Sequence, residues 1–241
     1  SIGVDTPFFE ELSPLFIEGG VYPNRYSLID EKVLSNLQEV QKVNNITVSE
    51  TLDGMKFSLE METGTGKTYV YLRTILELHT HYGFTKFIVI VPSIAIKEGV
   101  LKTLRMTARH FKQIYQNVAY SFYEYDSSKI TRIRHFAKSN TVEIMVMTLD
   151  SFNKDTNIMN QSIDKLGGQK PIDYVSRTRP IVILDEPQNM ESENAQLAIQ
   201  KLDPLFELRY SATHRQYHNL IYRLTPIDAY NKKLVKRIEV F

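Results

Sequence analysis

The chain has 241 residues, 42% of them apolar and 24% charged, and no cysteine. That is enough apolar material for one sizeable core, and too much for disorder driven by charge. The lack of cysteine excludes a disulfide scaffold, a thiolate metal site and a cysteine nucleophile.

The longest apolar run, residues 87–91, is far too short for a bilayer span, so no membrane partner is expected. The first twenty residues carry acids rather than a basic start and an apolar middle, so no signal peptide is read and a cytoplasmic protein is expected. Opening at Ser1 rather than Met suggests a fragment. Net charge is only +1, but it is sorted along the chain. Residues 1–62 hold four basic and eleven acidic side chains, residues 97–138 nine and three, and residues 215–241 six and two. The basic middle faces either a polyanion or water.

In chain order, residues 1–27 are rich in Pro, Gly and aromatics and read as irregular. The spacing of Leu28, Leu34, Leu37 and Val40 predicts a helix over residues 28–43. Residues 57–61 form a short strand running into a glycine-rich turn, and a helix follows over residues 67–81. Residues 86–91 (KFIVIV) read as a strand buried on both faces. Then come a helix over 96–115, a strand over 118–123, a helix over 129–138 and a strand over 142–147. Residues 153–179 read as mixed with a loop. A strand over 181–184 runs into Asp185 and Glu186, a helix covers 195–201, and a strand over 205–210 ends at Ser211. Strands alternating with helices predict an α/β fold, a mostly parallel sheet with helices on both faces. In such sheets ligands sit beyond the carboxyl ends of the strands. Polar clusters fall at those ends: residues 64–68, Pro92-Ser93, residues 148–151, 185–188 and 211–214.

Residues 61–68 read METGTGKT between a strand and a helix, the context of a phosphate loop. Gly64 and Gly66 let the backbone curl with its N–H groups inward, around Thr65, onto a positive helix N-terminus. Lys67 would reach the β and γ phosphates, and the Thr68 hydroxyl would ligate Mg²⁺. The full pattern wants glycine where Met61 stands. The other reading is an ordinary glycine turn capping a helix.

Asp185-Glu186-Pro187-Gln188 follows a buried strand, where two carboxylates are costly unless a cation or water partners them. Asp185 is read as the magnesium ligand and Glu186 as the general base for water, with Gln188 touching nucleotide or relaying its state. An acid pair opening a helix is the plainer alternative. Ser211 and Thr213 link the site to a second surface or simply cap a turn. Ser93, Lys97, Thr148 and Ser151 are candidate contacts to a nucleic-acid backbone. Lys102, Arg105, Arg109 and Lys112 recur at three, four and three residues, opposite Leu101, Leu104, Ala108 and Phe111. That stripe tracks a backbone or is a solvated face. His79 with His81, and His214 with His218, are read as non-metal because no third ligand accompanies them.

The set METGTGKT (61–68), VPSIAIKEGV (91–100), DEPQ (185–188) and SATH (211–214) resembles the first motor domain of superfamily 2 helicases, and more narrowly the Res subunit of type III restriction enzymes. Residues 222–240 also resemble the segment leading to the second motor domain in those subunits. The resemblance covers roughly residues 55–241. It implies a RecA-like P-loop NTPase domain over residues 51–225, an extension over 1–50 and the start of a connection over 226–241. It implies ATP and Mg²⁺ as cofactors, double-stranded DNA as substrate, a bacterial setting and a Mod methyltransferase partner. It assigns residues 64–68, Asp185, Glu186 and Gln188 to the nucleotide, Ser93 to DNA, and Ser211 and Thr213 to coupling. A complete motor needs a second motor domain, and the family also carries a nuclease domain. The chain by itself is therefore expected to bind nucleotide weakly, hydrolyse it poorly and cut nothing. No adenine-reading glutamine is assigned, with Gln38 and Gln41 possible by position alone. A type I restriction or DNA-repair motor, and a nucleotide-gated DNA-binding module without catalysis, remain alternatives.

Overall fold

The computed structural model describes residues 20–116 and 118–235. The expected irregular stretch before residue 20 and the end of the tail past residue 235 lie outside the described residues. Seven strands are described: β1 (Lys56–Met61), β2 (Lys86–Val91), β3 (Tyr120–Glu124), β4 (Val142–Thr148), β5 (Ile181–Asp185), β6 (Phe206–Ser211) and β7 (Tyr222–Leu224). They form one sheet in the order β3-β4-β2-β5-β6-β1-β7, every neighbouring pair parallel. The helices are α1 (Asp30–Val43), α2 (Lys67–Tyr82), α3 (Ile94–Ile114), α4 (Thr131–Lys138), α5 (Pro171–Ser176), α6 (Glu193–Gln200) and α7 (Pro226–Asn231). The expected elements are present with ends shifted by a residue or two, and β7, α5 and α7 are additional.

Both faces of the sheet are covered. Phe87, Val89 and Val91 of β2 pack with Leu72 and Ile75 of α2 and Leu101 and Leu104 of α3. Ile88 and Ile90, pointing the other way, pack with Ile133 and Phe136 of α4, Val175 of α5 and Ile199 of α6. The alternation follows from the two-residue period of a strand, and it explains why β2 is apolar from Phe87 to Val91. Burying each such side chain contributes about 1.5–3 kcal/mol. Among the described residues no helix is long and apolar enough to cross a membrane.

The strand order sets the chemistry. β6 lies between β5 and β1, with Asp185 level with Tyr210 and Ser211 level with Glu60. The carboxyl ends of these three strands therefore stand side by side. On the other half of the sheet Val91 is level with Thr148, so the Ser93 and Thr148 loops are neighbours on the same rim.

Candidate nucleotide-binding site

The loop after β1 is held by its own polar atoms. The Thr65 hydroxyl donates to the Glu62 carbonyl at 2.6 Å, and the Thr63 amide to Glu62 Oε1 at 2.9 Å. Gly64 and Gly66 have φ of 78° and 90°, left-handed values that side chains resist, and the space a Cβ would fill is open. The helix that follows has no side-chain cap and no acid in its first turn, so its first N–H groups present an unfilled positive end. Met61, where the pattern wants glycine, closes β1 and is buried in the core. The curl begins after it, which is why glycine is not required there.

Asp185 ends β5, and Glu186 turns out of the strand in a left-handed conformation with φ 57° and ψ 58°. For a residue with a side chain this is strained by about 1–2 kcal/mol. Its amide donates to the Tyr210 carbonyl at 2.9 Å. The turn sets Glu186 Oε1 2.5 Å from Lys67 Nζ, and the buried ammonium has no hydrogen-bond partner besides this charge contact. Glu186 Oε2 accepts from Gln188 Nε2 at 2.8 Å and from the Ser211 hydroxyl at 2.9 Å. The same hydroxyl lies 2.7 Å from Gln188 Oε1 and accepts from the Thr213 amide at 3.0 Å. One hydroxyl proton serves only one of Glu186 and Gln188 at a time.

Burial alone would raise the Glu186 carboxyl, but Lys67, Gln188 and Ser211 together hold it below the usual carboxylate range. Asp185 has no such set. Burial, then the charge of Glu186, push it up to about 6, against smaller opposing pulls from Lys67 and Tyr71. Tyr71 is itself pushed well up, by burial first and then by the charge of Asp185, and its buried hydroxyl has no hydrogen-bond partner among the described residues. A buried ammonium, an uncapped helix start behind a glycine curl, and an acid pair short of positive charge fit a magnesium nucleotide. Lys67 and the amides of residues 64–68 could hold the phosphates, and Thr68 and Asp185 the cation.

The other predicted residues are placed as follows. Ser93 is exposed and caps α3, its hydroxyl accepting from the Ile96 amide at 3.3 Å. Lys97 Nζ lies 3.0 Å from Glu124 Oε2 and is mostly covered. Thr148 is half-buried, and its carbonyl takes the Ser151 hydroxyl at 2.5 Å. Gln38 and Gln41 lie on α1: Gln38 donates to the Ser49 carbonyl, and buried Gln41 bonds Ser49 and the Leu220 carbonyl. His79 faces the Phe84 carbonyl, His81 Glu77 and His218 Asp53. Among the described residues no three His, Asp or Glu gather as a metal site.

Two residues at the site have no role there from the sequence, Tyr71 because it is not singled out and His214 because it is read only as non-metal. Tyr71 follows Lys67 by one helical turn and so shares its face, the spacing that could have marked it. His214 Nε2 donates to the Leu59 carbonyl at 3.1 Å, tying the loop after β6 to the strand that feeds the glycine curl. Burial, chiefly, holds its imidazole below the usual histidine range.

A family model described as "Type III restriction enzyme, res subunit" matches residues 30–216. The chain belongs to that family. Over 239 residues it is 30% identical to the EcoP15I Res subunit of Escherichia coli, covering 88% of this chain and 24% of that one. Over 235 residues it is 31% identical to the EcoPI Res subunit of Escherichia phage P1, again covering 88% and 24%. The chain thus spans about a quarter of the length of these curated relatives. Among solved structures it is similar to a nuclease-deletion mutant of the Type ISP restriction-modification enzyme LlaGI in complex with a DNA substrate mimic. There the identity is 14%, the TM-score 0.49, and the match covers 87% of this chain and 21% of that one. The α/β fold expected from the sequence, a parallel sheet with helices on both faces, is the one observed.

Proposed function

We propose that residues 51–225 are the first, ATP-binding motor domain of a type III restriction endonuclease Res subunit. Residues 1–50 are an extension of it, and residues 226–241 begin the connection to a second motor domain. In this reading the full-length subunit also carries a nuclease domain. It works with a Mod methyltransferase in the bacterial cytoplasm and couples ATP hydrolysis to translocation or switching on double-stranded DNA. One observation carries the reading: Lys67 and Glu186, from loops after β1 and β5, meet at 2.5 Å with Asp185 alongside.

In the proposed chemistry Lys67 and the first amides of α2 bind the β and γ phosphates. Magnesium, when bound by Thr68 and Asp185, supplies neutralisation of phosphate charge. Glu186 orients a water and takes its proton as the oxygen bonds to the γ phosphorus and the bond to the β-phosphate oxygen breaks. Ser211 and Gln188 hold the Glu186 carboxylate, and Thr213 holds Ser211. Ser93, Lys97, Thr148 and Ser151 line the rim on which DNA would lie.

The test is DNA-stimulated ATP turnover by the full-length subunit. Lys67→Ala and Glu186→Gln should each abolish it, and unchanged turnover in both would overturn the proposal. Binding of ATP and DNA with no turnover by the unaltered subunit would favour the rival reading, a nucleotide-gated DNA-binding module.

A further inference from the structure

We infer that the outer face of α3 is a second, sequence-independent contact for the phosphate backbone of duplex DNA, apart from the loops at the strand ends. Lys102, Arg105, Arg109 and Lys112 are all exposed on one side of this helix, while Leu101, Leu104 and Phe111 are buried on the other. Ten residues separate the first cation from the last, a rise of about 15 Å.

Three observations separate this row from an ordinary solvated face. First, the chain has no acid from Gly99 to Tyr123, although acids and bases are nearly equal in number overall. Second, among the described residues none of the four cations takes part in an ion pair, whereas Lys97, one turn before the row, is paired with Glu124. The free positive charge of this helix is therefore on its side and not at its start. The helix dipole, which favours cations only in the last turn, accounts for Lys112 alone. Third, the platform is anchored. The Tyr69 hydroxyl lies 2.8 Å from His110 Nε2, and the Tyr69 ring stacks on Phe111 at 5.1 Å, fixing α3 to the first turn of the helix that opens at Lys67.

The partner that fits is a phosphate backbone rather than an acidic protein. A protein interface is centred on large apolar or aromatic anchors, and the only large apolar side chain exposed within the row is Met106. A duplex presents regularly repeated charge along a line, and cations that neutralise it release counterions.

The inference rests on the proposed action on DNA, and its test is separate from that of the nucleotide site. Binding of a duplex of random sequence to the full-length subunit is followed by fluorescence anisotropy across a potassium chloride series, without nucleotide. Changing Lys102, Arg105, Arg109 and Lys112 to Gln should lower the slope of log affinity against log salt by about 3.6, each cation contributing about 0.9. Changing Arg105 and Arg109 to Lys should leave the slope intact. Lys32→Gln with Lys42→Gln, two exposed cations on α1, should also leave it intact. Thermal unfolding and binding of a fluorescent ATP analogue monitor folding and should be the same in the α3 and α1 variants. An unchanged slope in the quadruple variant overturns the inference and leaves the face to solvent or a protein partner. So does an equal loss in the α1 variant, or an unaltered subunit that fails to bind the duplex. Lys67→Ala, which tests the motor reading, should not alter the slope.

Discussion

Lys67 Nζ sits 2.5 Å from Glu186 Oε1, so in the proposed site the cation assigned to the phosphates is held by the carboxylate assigned to the water. Nucleotide has to compete with that carboxylate. Glu186→Gln removes the competing charge while keeping the shape of the side chain. We expect binding of a non-hydrolysable ATP analogue to tighten, by up to about tenfold, the scale of one charged hydrogen bond. Titration with a fluorescent analogue reads this directly. Weaker binding in the variant would mean that Glu186 supports the phosphates rather than withholding Lys67 from them.

Gly66 has φ of 90° and open space where a Cβ would project. The objection to a side chain there is backbone conformation and not crowding. Gly66→Ala should lower unfolding free energy by about 1–2 kcal/mol if the curl is kept. If the curl relaxes, stability is spared and nucleotide affinity falls more than about tenfold. Gly99, within α3 and equally open, is the contrast. Gly99→Ala should stabilise by about 0.5–1 kcal/mol and leave nucleotide binding alone. Parallel behaviour of the two variants in both measurements would refute the distinction.

The middle of the sheet is legible in the sequence because β2 from Phe87 onward and most of β5 are unbroken apolar runs between turn residues. KFIVIV and IVIL have nowhere to go but the middle of a covered sheet. β7 was not legible: three residues on the outer edge of β1, only Leu224 of them buried, carry no period. α5 is too short for helical spacing to register, and Pro171 at its first position is its one signal.

The site divides in the same way. Residues 61–68 and 185–188 are contiguous, so their chemistry is readable locally. Their meeting depends on β6 lying between β5 and β1, an order the sequence does not display. Buried charge is the least legible feature. In β6, Glu207 and Arg209 alternate with Leu208 and Tyr210 and read as a wet face. Both are buried and paired at 3.1 Å, in a sheet where the segment after β6 also folds back onto β1, His218 donating its amide to Ser58 Oγ at 2.9 Å.

Lys86 is a second buried charge, and it gives a pH dependence. It opens β2, is fully buried, and its ammonium reaches the Ser139 carbonyl. Burial pulls it down to about 8, against a smaller opposing pull from Glu143. Below about 8 both folded and unfolded states hold the proton, and the native state carries the whole desolvation cost. As pH rises past 8 the native amine loses its proton while the unfolded one, near 10.5, keeps it, so stability rises. Above about 10 the trend reverses. Tyr115, Tyr125 and Tyr210, pushed up to about 12 chiefly by burial, stay neutral in the native state while unfolded phenols ionise. Urea unfolding at pH 7.5 and 9.5 isolates the lysine. The wild type should gain about 2 kcal/mol on Lys86→Met between them. A constant gap would show that Lys86 keeps its proton in the fold.

Gln41 separates structure from base recognition. It lies upstream of the glycine curl, where a base-reading amide could be sought, yet it is buried and spoken for. Nε2 donates to Ser49 Oγ at 2.9 Å and to the Leu220 carbonyl at 3.0 Å, and Oε1 accepts from the Ser49 amide at 2.8 Å. Both amide hydrogens are used, and they tie α1 to the segment before β7. Gln41→Leu would strand the Leu220 carbonyl and the Ser49 amide, at a cost of about 2–4 kcal/mol in unfolding free energy. Because no donor is left over for a base, the ratio of ATP to GTP affinity should not move. Competition between the two nucleotides for the fluorescent analogue measures that ratio. A shift towards GTP at unchanged stability would reverse the assignment, making Gln41 a base contact that reorganises on binding.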